Sequence, residues 1–397
     1  MSVLDNLKAA NATGTARGTF PIIKNSANGK MKNLKLFGAS TKAEGKIESV
    51  VLNSIAACRK NLLDCSGLTA QTTAGITFTP VYENGLLQYI NVNGTATANA
   101  YYNGKSNNIK SGSYVLTGFE NPQSNTFRSY LNSGGVEIAS DVRDNGNFNI
   151  TNDSDIVFVI KVSSGVIANN DKCYPMIRPA SISDALYEPY KANIANLPEA
   201  IEMNGIGELK DYIDYDRGVF VQKFGVIILN GSENWGTYDT GSGKKRLFAT
   251  GIPAKANVNN NTIPNLLCSH YNVVTPTNTF YDIEGITIST GESPVLYLYD
   301  DTFNTSDISL WKAHLAKNPV TVVYELAEPI ETPLSPAALL ELNKLRTFDS
   351  ITCVSNDAGA EMEIEYFKNN ATGQAMSDIH AGVPRFVLDG TTLNIIV

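Results

Sequence analysis

The sequence is poor in charge, and its charges do not form the patterns that nucleic-acid binders need. Only 18% of the 397 residues are charged, with a net charge of −8, whereas about a quarter is usual. Proteins that neutralise phosphates need a surplus of lysine and arginine. The one basic run, Lys244, Lys245 and Arg246, is isolated, and we interpret it as a solvated loop. The composition therefore predicts no nucleic-acid partner.

Long apolar segments and an export signal are also missing. No uninterrupted apolar run reaches the roughly 18 residues of a membrane-spanning helix, so we expect no membrane segment. Residues 1–18 lack the apolar stretch that export requires. We therefore expect synthesis in a cytoplasm, and exit from the cell as part of a particle if the protein acts outside.

Cysteine is scarce and unevenly placed. There are five, an odd number, at Cys58, Cys65, Cys173, Cys268 and Cys353. Scattered cysteines of this kind are typical of reduced, buried small residues. Cys58 and Cys65 lie close enough in sequence for a disulfide to remain an alternative.

Motifs for nucleophilic catalysis are absent. The histidines are His270, His314 and His380, far apart in sequence, and no G-x-S-x-G turn presents a serine nucleophile. Cys268 and His270 would share one face of a strand, but two ligands do not make a zinc site. The sequence therefore predicts no catalytic residue, no metal site and no cofactor.

Clustered carboxylates leave two further alternatives. Asp214 with Asp216, and Glu361 with Glu363 and Glu365, are pairs of acids of the kind that glycoside hydrolysis uses. Residues two apart on a strand point the same way, so we favour ridges of charge on a solvated face. The acidic segment 144–155 could offer oxygens to calcium, but it lacks the spacing of a calcium loop.

What the sequence does have is many short alternating segments separated by turns that are rich in glycine and asparagine, residues that adopt positive φ at low cost. Short strands at regular spacing favour sandwiches over βαβ units. We predict a mainly β fold with two tandem, jelly-roll-like β-sandwich domains. In the first domain the predicted strands are Ile76–Phe78, Leu87–Val92, Ala98–Tyr102, Ser113–Phe119, Thr126–Leu131, Gly146–Ile150, Ile156–Val162 and Met176–Arg178.

The order of these segments predicts the organisation of the chain. The expected regions are an extended N-terminal attachment arm over 1–30, a first sandwich with leading strands over 31–190, a linker over 191–210, a second sandwich over 211–366, and a C-terminal β tail over 367–397. The tail is short, and an isolated hairpin is only marginally stable. We expect it to pair with another subunit or a partner by strand addition.

Within the second sandwich the pattern predicts several local features. Residues 217–231 are expected to form a hairpin, and residues 306–317 a helix with Ser306 as its N-cap. The stretch 318–366 is expected to run as a strand, bend at its prolines, form a short helix from Pro336 to about Leu345 and end in strands. Glu361, Glu363 and Glu365 should then face solvent.

Aromatic residues in a turn-rich segment provide the candidate site. Trp235 and Tyr238 lie in NGSENWGTYD beside Asn234 and Asp239. Aromatic faces that stack on sugar rings, with amide and carboxylate partners, are what a glycan site requires. The alternative is a small hydrophobic cluster under a long loop. We predict a glycan-binding site at these four residues.

Several phrases of the sequence resemble a modular family of bacteriophage tail-fibre and minor structural proteins. They are KMKNLKLFGAST, KNLLDCSG, GITFTPVYENGLLQYINVNGTATANAYY, YDRGVFVQKFGVIILNGSENW, NPVTVVYELAEPIETPLSP and SNDAGAEMEIEY, spread over residues 30–366. The proline-rich continuation usual after the first phrase is absent. The resemblance implies jelly-roll or carbohydrate-binding-like sandwiches on a virion, frequently as homotrimers, and it carries over no catalytic residues.

These observations lead to one preferred function and two alternatives. We expect a non-enzymatic tail-fibre or baseplate-associated receptor-binding protein, attached to other virion proteins by its N-terminal arm and presenting loops to a host surface polysaccharide. The first alternative is a purely structural virion protein, such as a head or neck fibre or an assembly hub. The second is an enzyme that degrades cell-wall glycans.

Overall fold

A computed structural model describes residues 13–120, 126–239, 245–276, 284–300, 307–349, 351–368, 385–389 and 392–396. The protein is mainly β, as predicted. The chain begins with the strands β1 (Thr13–Gly18), β2 (Ile22–Lys24), β3 (Gly29–Lys30), β4 (Asn33–Phe37), β5 (Ser40–Ala43) and β6 (Lys46–Cys58).

The segment between residues 61 and 190, named the first insert below, contains the strands that the sequence predicted best. They are β7 (Gln71–Thr73), β8 (Ile76–Glu83), β9 (Leu86–Thr95), β10 (Ala100–Ile109), β11 (Gly112–Phe119), β12 (Phe127–Ser133), β13 (Val136–Ser140), β14 (Asn147–Ile150), β15 (Ser154–Val162) and β16 (Ile167–Pro179). All eight predicted strands are present, most of them longer than expected. Each apolar segment is short and ends at a turn, which limits the possible pairings.

Two sheets enclose the core of the first insert. One has the order β14-β11-β16-β9-β8-β7 and the other β10-β15-β12-β13. Alternate residues of both point inward, and Phe78, Ile90, Leu131 and Phe158 are fully or almost fully buried between them. Every strand of both sheets comes from within the insert.

The chain then continues through β17 (Ala192–Met203), β18 (Gly205–Ile206), β19 (Leu209–Lys210), β20 (Tyr212–Asp214) and β21 (Val219–Leu229). Residues 230–319, named the second insert, contain β22 (Asn234–Asp239), β23 (Lys245–Thr250), β24 (Leu266–Cys268), β25 (Gly285–Ile288), β26 (Leu296–Tyr299) and helix α1 (Ile308–Lys317). The remaining elements are β27 (Val320–Pro333), α2 (Pro336–Leu342), β28 (Arg346–Thr347), β29 (Ile351–Asn356), β30 (Glu361–Phe367), β31 (Arg385–Asp389) and β32 (Thr392–Ile396).

Strands from both ends of the chain form a central unit, made of residues 13–58, 192–229 and 320–368. One sheet has the order β1-β30-β4-β20-β21-β27-β24, and a second has the order β17-β6-β29-β2 with β5 on β6. Leu34, Leu36, Met362 and Ile364 from the first sheet share a core with Ile55 and Val354 from the second. Helix α2 adds Ala338 and Leu342 to that core.

Both inserts leave the central unit at the end of a pair of antiparallel strands. Cys58, the last residue of β6, lies opposite Ala192, the first of β17. Leu229, the last residue of β21, lies opposite Val320, the first of β27. Each insert therefore starts and finishes at two neighbouring residues of a strand pair. After each insert the chain returns to the central sheets.

This arrangement corrects three predictions. The expected arm is wrong for residues 13–30, because β1 pairs with β30 and β2 with β29; residues 1–12 lie outside the described part. The expected linker is wrong for residues 192–203, which pair with β6. The expected hairpin over 217–231 is wrong, because these residues contain a single strand, β21. The pairing of β21 with β27 is irregular between Gln222 and Phe224. The buried Asp211 carboxylate stabilises this irregularity by accepting the backbone N–H groups of Lys223 and Phe224.

Helix α1 is present where it was predicted, but its N-cap residue is a different one. Asp307 is the N-cap and accepts the backbone N–H groups of Ser309 and Leu310; Ser306 lies outside the described residues. Trp311 and Leu315 are buried, whereas Leu310 is 55% exposed. Gly231 allows the helix to approach, because a Cβ there would meet the carbonyl oxygen of Lys312 at 2.3 Å.

The stretch 318–366 follows its predicted order of strand, proline bend, helix and strands. On β30, Met362 and Ile364 are buried, while the three glutamates lie on the other face. Those glutamates form ion pairs, with distances of 2.7 Å for both Arg17 and Lys210 to Glu361 and 3.9 Å for Arg17 to Glu363.

In the tail, β31 and β32 pair around Asp389, as expected for its two short strands.

Candidate carbohydrate-binding face

The predicted site lies on the edge strand of a small sheet in the second insert. The sheet has the order β22-β23-β26-β25, and all its pairings are antiparallel. Residues alternate between its two faces. The inner face packs on α1 through Leu247, Ala249, Ile286, Leu296 and Leu298.

Trp235 belongs to the inner face, which corrects its assignment to a glycan site. It is 7% exposed, and its ring meets that of Trp311 edge-on, with 5.5 Å between centroids. Its indole N–H donates to Glu233 Oε2 at 2.8 Å. Glu233 also accepts the backbone N–H groups of Asn230 and Gly231, so this carboxylate fixes the turn before β22 rather than facing a ligand.

Tyr238, in contrast, lies on the outer face and is 52% exposed. Asn234 is exposed on the same strand and donates from Nδ2 to Thr250 Oγ1 at 2.8 Å. Asp239 lies opposite Lys245 in the strand pairing; its side chain is outside the described part. The structure thus keeps Tyr238 and Asn234 as surface residues and separates them from Trp235.

Three residues that the prediction missed complete this face. Arg246 lies beside Tyr238, and Phe248 lies between Gly236 and Tyr297 in the strand register. The guanidinium carbon of Arg246 is 5.8 Å from the Tyr238 ring centroid and 5.0 Å from that of Tyr297. A cation between two aromatic faces is stabilised by both, and Arg246 is only 7% exposed, which corrects its assignment to a solvated loop.

Phe248 extends the aromatic surface. Its ring centroid is 6.2 Å from that of Tyr297, with the planes at 65°. The Phe248 ring also covers Gly236, where an added Cβ would lie 2.3 Å from Cζ. The outer face, which we name the aromatic face, therefore consists of Tyr238, Arg246, Phe248 and Tyr297.

The alternation of side chains could have revealed these residues. In KRLFAT, Arg246 and Phe248 alternate with Leu247 and Ala249, and in VLYLYD, Tyr297 alternates with the leucines. The apolar residues of both segments indicate core positions. Neither segment by itself shows that the two strands pair with each other.

The arrangement of the aromatic face suits a flat, partly apolar ligand. Aromatic rings and a guanidinium are held by a paired sheet, with the exposed amide of Asn234 nearby. Sugar rings bind such surfaces through their C–H faces and give hydroxyls to neighbouring polar groups.

The other predicted groups do not converge on a reactive centre. Asp214 is 4% exposed, whereas Asp216 is exposed, so the two do not form an acid pair. Cys268 is 1% exposed and His270 is exposed, with its Nδ1 2.7 Å from Ser269 Oγ. Of the remaining histidines, His314 stacks on Trp311, and His380 lies outside the described residues.

Metal-binding and disulfide alternatives find no geometric support in the described ranges. In the acidic segment 144–155, Asp153 pairs with Lys110 at 2.8 Å and Asp155 accepts from Asn108. No group of three His, Cys, Asp or Glu side chains in the described residues could hold a metal ion. Cys58 and Cys65 are free and buried, and burial raises the pKa of each thiol to about 12.

No helix of the described chain is long and apolar enough to cross a membrane. Comparison of the sequence and structure with protein-family models, curated proteins and solved structures gave no match.

Proposed function

We propose that this protein is a non-enzymatic component of a bacteriophage virion, a tail-fibre or baseplate-associated receptor-binding protein that binds host surface polysaccharide through the aromatic face. The observation that carries the binding role is the set of aromatic residues and one arginine on the outer side of the β22–β26 sheet. The virion role rests on the resemblance of six sequence phrases to phage tail proteins.

The architecture supports this role. Ligand-binding groups are most precise when they stand on paired strands, and those of the aromatic face do. The second insert leaves the central unit at Leu229 and returns at Val320. The strands nearest the N-terminus and after the second insert, β1 and β30, pair at the edge of the large central sheet, with Thr13 opposite Phe367. Attachment through the N-terminal region and presentation of sandwich-like inserts are therefore compatible in one chain, which we propose to assemble as a homotrimer.

A glycan array and a host cell-wall pull-down test the binding role. We expect saturable binding by the purified protein, and a loss of about fivefold for Tyr238→Ala, because a lost stacking contact costs on the order of 1 kcal/mol. Tyr101→Ala is the matched control, since Tyr101 is 39% exposed on the first insert. No binding by the parent protein, or equal binding by both variants, would contradict the proposal.

The second candidate is a purely structural virion protein. It is favoured by the pairing of β1 with β30, which brings the first and the last strand of the large central sheet together at the Thr13–Phe367 pair. A hub could bind its partners there. Immunogold labelling of intact particles separates the two, because a hub would lie in the head, neck or tail body rather than at a tail tip. Release of reducing sugars from host envelopes would instead indicate the enzymatic alternative.

A further inference from the structure

The first insert contains a groove that the proposed function does not use. It has a volume of about 370 Å³, and its walls include Phe119, Glu120, Tyr174, Ala185, Leu186 and Tyr187. We name it the Tyr174 groove. It lies where the outer side of β11 and β16 meets the segment that follows β16. Its volume is within the range of about 300–1,000 Å³ that is typical of small-ligand pockets.

Tyrosine rings form one side of the groove. The ring centroids of Tyr174 and Tyr187 are 5.4 Å apart, with the planes at 58°. On the other side of Tyr174, the Tyr89 ring lies at 6.0 Å under the ammonium of Lys172, which is 4.6 Å from its centroid. The Tyr187 hydroxyl donates to the carbonyl oxygen of Leu87 at 2.7 Å. The rings are therefore fixed by neighbours before any ligand enters.

The loop residues Ala185 and Leu186, next to Tyr187, also line the groove, and Asp184 holds this loop in place through two contacts. Lys60 Nζ pairs with Asp184 Oδ2 at 2.5 Å, and the lysine side chain is 4% exposed. The other oxygen of Asp184 accepts the backbone N–H of Leu186 at 3.0 Å. Leu186 itself is 78% exposed. An isolated apolar side chain at such exposure is common, but this one lies at the rim of an aromatic groove, next to Asp184, whose partner Lys60 is buried.

Glu120 supplies the charge of the groove. It is exposed, and burial, the negative charge of Glu120 and a hydrogen bond to Glu120 together raise the pKa of Tyr174. A carboxylate accepts hydrogen bonds from sugar hydroxyls and repels other carboxylates. The groove thus combines apolar rings with an acceptor that disfavours anionic ligands.

We propose that the Tyr174 groove is a second carbohydrate site, separate from the aromatic face, that binds a neutral pyranose ring. This inference rests on the proposed function and adds a preference for neutral over uronic-acid glycans. Two sites on one chain would increase the apparent affinity for a polysaccharide through effective concentration, provided that one glycan chain spans them.

Isothermal titration with four probes tests the inference: cellohexaose, mannohexaose, chitohexaose and hexagalacturonate. To isolate the groove, the titrations use the full chain carrying Tyr238→Ala, which disables the aromatic face. We expect this protein to bind at least one neutral probe and to bind it more tightly than hexagalacturonate. Adding Tyr174→Ala should weaken that binding about fivefold.

Two matched controls separate recognition from folding. Tyr101→Ala removes an exposed tyrosine from the other sheet of the first insert, and Leu340→Ser, at a side chain 66% exposed on α2, matches Leu186→Ser. We expect Leu186→Ser to weaken binding by a smaller factor than Tyr174→Ala and both controls to leave it unchanged. Equal melting temperatures for the four variants would exclude unfolding as the cause.

The outcomes distinguish this inference from the proposed function. If the parent protein binds a probe and Tyr238→Ala abolishes that binding, the aromatic face stands and the groove is not a carbohydrate site. If Tyr174→Ala binds the probe as tightly as Tyr101→Ala does, the groove is not a carbohydrate site. If the protein binds hexagalacturonate more tightly than the neutral probes, the inference is also wrong. If the parent protein binds none of the probes, the inference is overturned, and the proposed function is then decided by its own glycan array and pull-down.

Discussion

The first insert and the central unit are both two-sheet structures with one core each, but they are assembled differently. In the first insert all ten strands come from one continuous segment, residues 71–179. Apart from the edge strand β24, which belongs to the second insert, the central unit takes its strands from three segments, so that β30 lies between β1 and β4, and β29 lies between β6 and β2. Contacts between distant segments form late and slowly because long loops must close first. The central unit should therefore depend on both chain ends, and the first insert on neither.

Removing the last strands should produce the largest difference between the two regions. A chain that ends at residue 350 lacks β29 and β30, and with them Val354, Met362 and Ile364 of the central core. We expect the central unit to lose its protection against hydrogen exchange, while β8, β9 and β15 keep theirs. A chain that ends at residue 368 retains both strands and is the control. Protection of β4 and β6 in the shorter chain would contradict the comparison.

Matched core substitutions should have a smaller but still large effect, confined to one region each. Phe158→Ala in the first insert and Met362→Ala in the central unit both remove fully buried side chains. We expect losses of about 3–5 kcal/mol and about 2–5 kcal/mol, respectively, in the free energy of unfolding of the unit concerned. Hydrogen exchange resolved by segment measures each unit separately. Equal loss of protection in both units from either variant would show that they unfold as one.

Acid should destabilise both regions through carboxylates with lowered pKa values. A bidentate hydrogen bond from Arg128 lowers the pKa of Glu137 in the first insert, and hydrogen bonds from Arg17 and Lys210 lower that of Glu361. Each therefore stabilises the fold above its ordinary pKa of 4.5, and this contribution disappears as the pH falls through the lowered value.

Glu137→Gln and Glu361→Gln should each flatten the acid limb of the stability curve of their own unit. We expect the larger change for Glu137→Gln, because Arg128 is 7% exposed whereas Arg17 is 53% exposed and solvent screens exposed pairs. Urea titrations between pH 2.5 and 7 measure both. An unchanged pH dependence in Glu137→Gln would contradict the role of this pair.

The smallest expected effect is on thiol reactivity. All five cysteines are free and buried, and a buried thiol with a raised pKa carries little reactive thiolate at neutral pH. We expect no labelling of the native protein by a thiol reagent over minutes, and five labelled thiols after denaturation. In Phe158→Ala, Cys65 and Cys173 should react before Cys58 and Cys353. The reverse order would contradict the separate opening of the first insert.

The same contrast explains which parts of the fold could be predicted. All eight strands predicted in the first insert are present, because each is a short apolar alternation bounded by a turn that its own residues specify. The predicted arm and linker were wrong because residues 13–18 and 192–203 are strands whose partners, β30 and β6, lie far away in sequence. The edge strand β1 has the sequence TGTARG and no apolar pattern of its own.

The candidate site divides in the same way. Its residues were assigned to a turn-rich segment, whereas residues 234–239 form strand β22. Tyr238 is exposed and Trp235 is core, and Arg246, Phe248 and Tyr297 were missed. Alternation with a period of two shows that two residues lie on the same face of a strand, but it does not show which face is buried. In the second insert α1 covers the Trp235 side through Trp311 and Leu315, a contact between segments that are more than 70 residues apart.

The sequence by itself determined that this protein is mainly β, where the main strands of the first insert lie, and that Glu361, Glu363 and Glu365 lie on one face, since turn residues and alternation act locally. The tertiary structure decided that two segments are inserted into a unit closed by both chain ends. It also decided which aromatic residues reach the surface. Both outcomes depend on pairing and packing between residues that are distant in sequence. The free energy of these contacts comes from the assembled sheets and not from any single segment.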